Sequence, residues 1–320
     1  MSVIRGVTTV ASPGGGRGRL LTFFFHRVLE KPDAMMPGEP DARRFDQTLG
    51  WIGEQFRVLP PLAACEQLSA GCLPARAAII SFDDGYRDNH DVALPILKRH
   101  GMQAAFFIAT GYLGDGVQFN DRLVEAFRGL RAESLDAQGL DLGTLSSATP
   151  EAKLLALERV REAIKYLEPD ARLEAVERVE KACGAAAAGQ RRPRIMMTPE
   201  EVKALAANGM EIGGHTVTHP ILCSVDDVTA AQEIRSGRDA LASVLGRPPA
   251  LFAYPNGKPG RDFDRRHADM ARNAGFAYAF STERGVATAA TDPMMLPRFM
   301  PWDTERWRFE VQALKVVLGR

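Results

Sequence analysis

Ile79-Ile80-Ser81-Phe82-Asp83-Asp84-Gly85 reads as an apolar strand that runs straight into two carboxylates and a glycine. A short continuous apolar run bounded by turn residues suits a strand buried on both faces. Carboxylates at the C-terminal end of such a strand stand where α/β folds place their chemistry. Side chains alternate along extended backbone, so Asp83 and Asp84 are expected to point in different directions and hold different roles, one on a metal and one on a water. The plain alternative is a pair of helix N-caps, where Asp is favoured.

Similar apolar runs recur at 20–25, 104–109, 210–212, 250–254, 277–281 and 295–299, and helix-period segments separate several of them. One helix is expected from Thr198, with Pro199 at its first position, Glu201 completing a capping box and Gly209 ending it. Others are expected over 226–245 and 264–274, stopped by Gly246 and Gly275. This alternation marks an α/β protein. From 120 to 194 the pattern changes. No strand is evident there, and Leu154, Leu157, Val160, Ile164 and Leu167, then Leu173, Val176, Val179 and Cys183, follow helical spacing around Pro169. The stretch reads as a helical hairpin inserted into a single domain spanning 20–320. Residues 1–19, glycine-rich at 13–18, read as a flexible lead-in, and Ala185–Ala188 as a low-complexity patch.

The chain has 320 residues, 40 Lys and Arg against 40 Asp and Glu, with 45% hydrophobic and 25% charged residues. That is an ordinary globular composition, and the balanced charge gives no reason to expect nucleic acid or an anionic membrane as partner. No apolar run approaches the roughly 18 residues of a transmembrane segment. No secretory leader is visible, so a cytoplasmic location is expected. Cys65, Cys72, Cys183 and Cys223 are too few for a disulfide framework and form no CxxC pair.

A second polar cluster follows another short run: Ile212-Gly213-Gly214-His215-Thr216-Val217-Thr218-His219-Pro220. Two histidines four apart can share one face of a helical turn and ligate one ion. Gly213 and Gly214 are expected to permit unusual backbone at the strand exit. A carboxylate and two imidazoles leave coordination positions open for water and substrate, the catalytic arrangement of zinc. A second carboxylate beside them can take the proton of an attacking water. Such a set suffices to hydrolyse an amide or ester.

Ser81-Phe82-Asp83-Asp84 resembles the T/S-F-D-D motif of the polysaccharide deacetylases, carbohydrate esterase family 4 with its NodB-homology domain. His215-Thr216-Val217-Thr218-His219 matches that family's H-S/T-x-x-H, and Phe252-Ala253-Tyr254-Pro255-Asn256-Gly257 is similar to its third motif. The likeness covers about 20–116 and 198–303 and leaves the insertion outside. It implies a distorted (β/α) barrel of about seven strands and a divalent metal ion, zinc by family habit. It also implies removal of acetyl groups from an N-acetylated glycan or sugar. Asp83 would then be the general base, Asp84, His215 and His219 the metal ligands, and the backbone at Tyr254 an oxyanion partner. Two family features are missing: the arginine that opens the third motif and the late Leu-x-His that supplies the general acid. His26 ends the first strand in Phe23-Phe24-Phe25-His26-Arg27-Val28, similar to the Y-H-x-V of circularly permuted members, and is the expected acid. Arg298, in Leu296-Pro297-Arg298-Phe299, is the expected partner of Asp83, and Trp302 and Asp303 are expected near the groove.

The remaining histidines have plainer readings. His100 stands at a helix end, where a cation complements the dipole. His267 lies on a helix, and His90 at a helix start, with Tyr86 and Asn89 nearby as supports of the site. Two other functions use the same residues: a carbohydrate-binding relative without catalysis, and a non-haem Fe(II) enzyme. The second class carries its carboxylate close to the first histidine, whereas here Asp84 precedes His215 by 131 positions (215 − 84).

Overall fold

Each of the seven apolar runs forms a strand: β1 Leu21–Phe25, β2 Ala77–Phe82, β3 Ala105–Ile108, β4 Glu211–Gly214, β5 Leu251–Ala253, β6 Tyr278–Arg284 and β7 Leu296–Arg298. In the computed structural model, which describes residues 3–184 and 194–319, they pair in parallel in chain order. A bridge between Phe23 and Phe299 joins the last strand to the first. There Phe24 N donates to Phe299 O at 3.1 Å and Phe299 N to Thr22 O at 2.8 Å. The sheet is thus nearly closed, a distorted (β/α) barrel with helices around it. A two-residue strand, Arg57–Val58, flanks β2 off this ring.

Alternation along the strands sorts the core. Phe23, Phe25, Ile80, Phe82 and Phe106 pack outward under Phe45, Leu49 and Ile52 of the helix Ala42–Gln55. Ile79, Phe107, Leu251, Ala253, Phe280 and Leu296 pack with one another inside. The helix ends follow the punctuation. Thr198 and Glu201 form the capping box of Pro199–Ala207, and Gly246 and Gly275 end Asp227–Leu245 and Arg265–Ala274 in the left-handed conformation (φ 73° and 98°).

Residues 1–19 are not merely a lead-in. They include the helix Val3–Ala11, and Thr8 and Ser12 are buried. Ser12 O accepts from Arg76 N at 3.0 Å and Gly15 N donates to Leu73 O at 2.8 Å. A Cβ on Gly18 would lie 2.8 Å from Leu73 Cβ. Glycine here serves close backbone approach, which composition alone cannot tell from looseness.

The chain divides into two compact units. The barrel unit holds the chain up to Lys31, Gly38–Gly114 and everything from Met196 onward. The second unit, Pro32–Pro37 and Asp115–Ile195, has its own apolar core from Leu123, Phe127, Leu157, Val160, Ile164 and Val176. Besides the expected helix pair, Pro150–Lys165 and Pro169–Ala182, it contains the helix Phe119–Gly129 and an antiparallel hairpin of Ser134–Asp136 with Thr144–Ser146. Each hairpin strand buries one side chain, Leu135 or Leu145, too short an alternation to read from sequence. Ala185–Ala188 lie outside the described residues.

Candidate active site

Parallel register brings the polar residues to one end of the barrel. Phe25 pairs with Phe82, so His26 and Asp83 leave their strands side by side, and Asp83 N donates to Phe25 O at 3.0 Å. Ile108 pairs with Gly214, so His215 emerges at the same mouth, its N donating to Ile108 O at 3.1 Å.

Asp83 continues the face of Ile79 and Ser81. Its two oxygens accept from Arg298 Nη1 and Nη2 at 2.7 and 2.8 Å. Arg298 is fully buried, donates Nε to Ser281 O at 2.9 Å, and lies 4.4 Å from the centre of the Phe24 ring. Burial alone would raise the Asp83 carboxyl; the Arg298 charge and hydrogen bonds outweigh it and hold it below the ordinary carboxylate range.

Asp84 has φ 75°, a left-handed turn that swings its carboxylate away from that of Asp83. Its Oδ1 lies 3.3 Å from His219 Nε2 and 3.5 Å from His215 Nε2. That oxygen is buried without a hydrogen-bond partner. An unpaired buried carboxylate oxygen is costly unless something positive meets it. His215 Nδ1 binds Ala253 O at 2.7 Å, which turns Nε2 toward Asp84. One ligating atom from each of the three residues falls within 4.8 Å of the others. Borderline nitrogen and hard oxygen donors in this number suit a divalent ion such as zinc, so these residues fit a metal centre.

The electrostatics divide the two histidines. Burial pushes the His219 imidazole down to about 4, against the Asp84 charge, leaving the neutral ring a metal requires. Burial also pushes His215 down, but its contact with Asp84 and the two carboxylate charges outweigh it and leave it raised. Burial would raise Asp84; the histidines overcome it and keep the carboxylate ionised.

The two histidines do not share a helical turn. His215 follows β4, and the chain then bends through Thr216 and His219, with φ 65° and 54°. A left-handed Thr is strained, and buried hydrogen bonds hold it: Thr216 Oγ1 donates to His215 O at 2.6 Å and accepts from His219 N at 3.1 Å. Glu233 accepts from Val217 N, Thr218 N and Thr218 Oγ1, all at 2.8 Å. No local motif signals Glu233, because it reaches the loop from the helix Asp227–Leu245. Gly213 and Gly214 stay within the strand and have no positive φ. They are needed because a Cβ would stand 2.5 Å from Phe107 Cδ1 or 2.7 Å from Phe276 Cζ.

His26 follows β1, half-buried, and leaves its strand beside Asp83. Asn89 Nδ2 donates to His26 O at 2.9 Å. Asp88 binds Arg27 Nε at 2.7 Å and Val28 N at 3.2 Å, so the residues after the paired acids hold the turn that carries His26. Asp88 also escaped notice in the sequence. Tyr254 stands differently from its expected role. Its N donates to Phe280 O at 3.1 Å as one more rung of the β5–β6 ladder. Its hydroxyl donates to Met294 O at 3.0 Å and its ring stacks on Phe263. The Tyr254 amide is therefore already paired and is not available to an oxyanion. His100 pairs with Asp46 and His90 with Asp91, while His267 is buried and accepts from Asp264 N at its helix start.

Comparison with known proteins matches this arrangement. The "Putative polysaccharide deacetylase YxkH" of Bacillus subtilis is 27% identical over 116 residues, 35% of this chain and 42% of that protein. The chain thus spans less than half the length of that relative. Streptococcus pyogenes deacetylase PplD has a similar fold, with TM-score 0.60, 18% identity and coverage of 93% of this chain and 98% of that one. IcaB from Ammonifex degensii follows, with TM-score 0.58, 17% identity and coverage of 96% and 98%. The polysaccharide deacetylase family model matches residues 70–173 and 179–279, much of the second unit included, so the insertion is not outside the family as expected. That match contains Asp83, Asp84, His215 and His219 and stops short of His26 and Arg298, which the closing strands β1 and β7 bring in from either end. With more than half of its length matched and this barrel around those residues, the chain belongs to the polysaccharide deacetylase family.

Proposed function

We propose that the protein is a metal-dependent deacetylase that hydrolyses the acetamide of an N-acetylated sugar, releasing acetate and a free amine. The observation that carries this reading is the unpaired Asp84 Oδ1 facing two imidazole nitrogens, beside a second carboxylate clamped by arginine. Asp84, His215 and His219 would hold the ion. When bound, a divalent cation there polarises the amide carbonyl and acidifies water. Asp83 accepts the proton of the attacking water, and Arg298 keeps that carboxylate ionised and aimed. His26, at the same barrel mouth as Asp83, delivers a proton to the departing nitrogen. The oxyanion needs a donor other than Tyr254. Pro255 has no N–H, so the first candidate is the amide of Asn256, left-handed at φ 59°.

The test is acetate release from N-acetylglucosamine and its oligomers, using enzyme stripped of metal and then restored with zinc. Release that disappears on stripping and returns with the ion supports the reading. Binding of the oligomer without any acetate would point to the non-catalytic alternative.

A further inference from the structure

The helices nearest the two ends of the chain, Val3–Ala11 and Arg306–Val317, pack against each other. Arg19 Nη1, beyond the first, donates to Val317 O at the end of the second. Both turn one face inward: Thr8 is buried under the first, and Phe309, Ala313, Val316 and Val317 join the core between sheet and helices. Away from those faces, each leaves apolar side chains in solvent. Trp307, Val311 and Leu318 recur at four and seven residues along one stripe, and Trp307 is 61% exposed. On the first helix Val7 is exposed and Val10 is 82% exposed. Single exposed apolar residues are ordinary, but several on two touching helices, one of them a tryptophan, mark a contact surface.

Charge singles out the same helices. Residues 1–19 and 305–319 hold six cations against two acids (6 − 2 = +4), in a chain whose total is zero. The balance over the whole chain conceals this patch. Of the two acids, Glu310 is buried and accepts from Arg306 Nε and Gln55 Nε2, both at 2.9 Å. Arg306 also pairs with Glu54. Arg5, Arg17, Arg308 and Lys315 have no acidic partner among the described residues, and the last three are exposed. The Arg308 guanidinium lies 5.2 Å from the centre of the Trp307 ring, so cation and apolar surface stand together. A second copy of the chain docked here would bring the same cations face to face, which like charges oppose. An anionic lipid surface meets both features: its headgroup boundary favours tryptophan and takes apolar side chains, and its phosphates attract the cations around them. No described helix is long and apolar enough to cross a membrane, and a short helix lying in the interface needs neither property.

We infer that this terminal helix pair docks the protein on an anionic phospholipid surface, with Trp307 and Val311 entering the headgroup boundary and Arg308 and Lys315 facing phosphate. The experiment is co-sedimentation of the full chain with vesicles of phosphatidylcholine alone and of phosphatidylcholine mixed with phosphatidylglycerol, in low and high salt. Binding should be at least about tenfold tighter to the mixed vesicles and should weaken as salt rises. Trp307→Ser with Val311→Ser should reduce it by about tenfold or more, and so should Arg308→Glu with Lys315→Glu. Leu155→Ser, which removes an exposed apolar side chain of the second unit, should bind as the wild type does. All these positions are exposed, so unfolding midpoints should stay near the wild-type value and separate lost docking from lost folding. Equal binding to both vesicle types, no binding to either, or double variants that bind like the wild type would overturn the inference. A dimer in analytical ultracentrifugation that Trp307→Ser with Val311→Ser dissociates, without vesicle binding, would overturn it too and give the face to a second copy. None of these readouts depends on the deacetylase reading.

Discussion

Arg298 and Asp83 are 215 residues apart in sequence and meet through two parallel hydrogen bonds of 2.7 and 2.8 Å, both side chains buried. The guanidinium fork matches the carboxylate edge to edge, fixing the direction of Asp83 as well as its charge. β7 can deliver Arg298 there only because the Phe23–Phe299 bridge brings the end of the chain back to β1.

Arg298→Lys should therefore be far from conservative. The ammonium retains the charge and loses the fork, so Asp83 swings, and kcat should fall by about 10²-fold, the cost typical of a misplaced catalytic group. Arg298→Ala leaves a buried carboxylate unpaired and should cost about 3–5 kcal/mol of stability as well. Steady-state kinetics with thermal unfolding check both. A lysine variant with wild-type kcat would show that charge alone suffices.

Asp83→Asn keeps shape and removes the proton acceptor, so activity should drop by roughly 10²–10⁴-fold with metal content retained. Asp84→Asn should lose the metal. Elemental analysis beside acetate release separates the two acids, and a metal-free Asp83→Asn with a metal-replete Asp84→Asn would reverse their roles.

Glu233 touches none of the proposed ligands, yet it holds the loop that carries His219 through three hydrogen bonds. Glu233→Ala should weaken metal binding by about 10–100-fold, the usual effect of losing a ligand's support. Competition against a chelator of known strength measures this, with His219→Ala as the reference for a lost ligand. Equal affinity in Glu233→Ala and wild type would make Glu233 a helix-surface group and nothing more.

His267 gives a pH dependence outside the site. Burial lowers its pKa, the Asp264 charge opposing only in part. Below the unfolded value near 6.5, the unfolded chain binds a proton that the fold resists. Stability should thus fall as pH drops from about 6.5 toward the folded pKa. Unfolding midpoints between pH 7.5 and 5 should decline less steeply in His267→Gln than in wild type, and parallel slopes would remove His267 as the cause.

Local chemistry made much of this protein legible. The strands that carry the site are continuous apolar runs, and the helices after Thr198 and Asp264 start and stop at caps, because those signals act within a few residues. Asp83, Asp84, His215 and His219 stood out for the same reason, as polar groups concentrated at strand exits. What local reading mistook was the backbone around them. The Tyr254 amide is consumed by a rung to Phe280, the 215–219 loop is bent rather than helical, and the glycines at 18, 213 and 214 serve close contacts. Each depends on a neighbour far away in the chain. Arg298 was already the expected partner of Asp83, and tertiary structure decided the rest: that β1 and β7 close the ring, that Glu233 and Asp88 brace the site, and that Trp302 and Glu39 stand beside His26. Strand register sets those meetings, and register is a property of paired strands, which no single stretch of sequence carries.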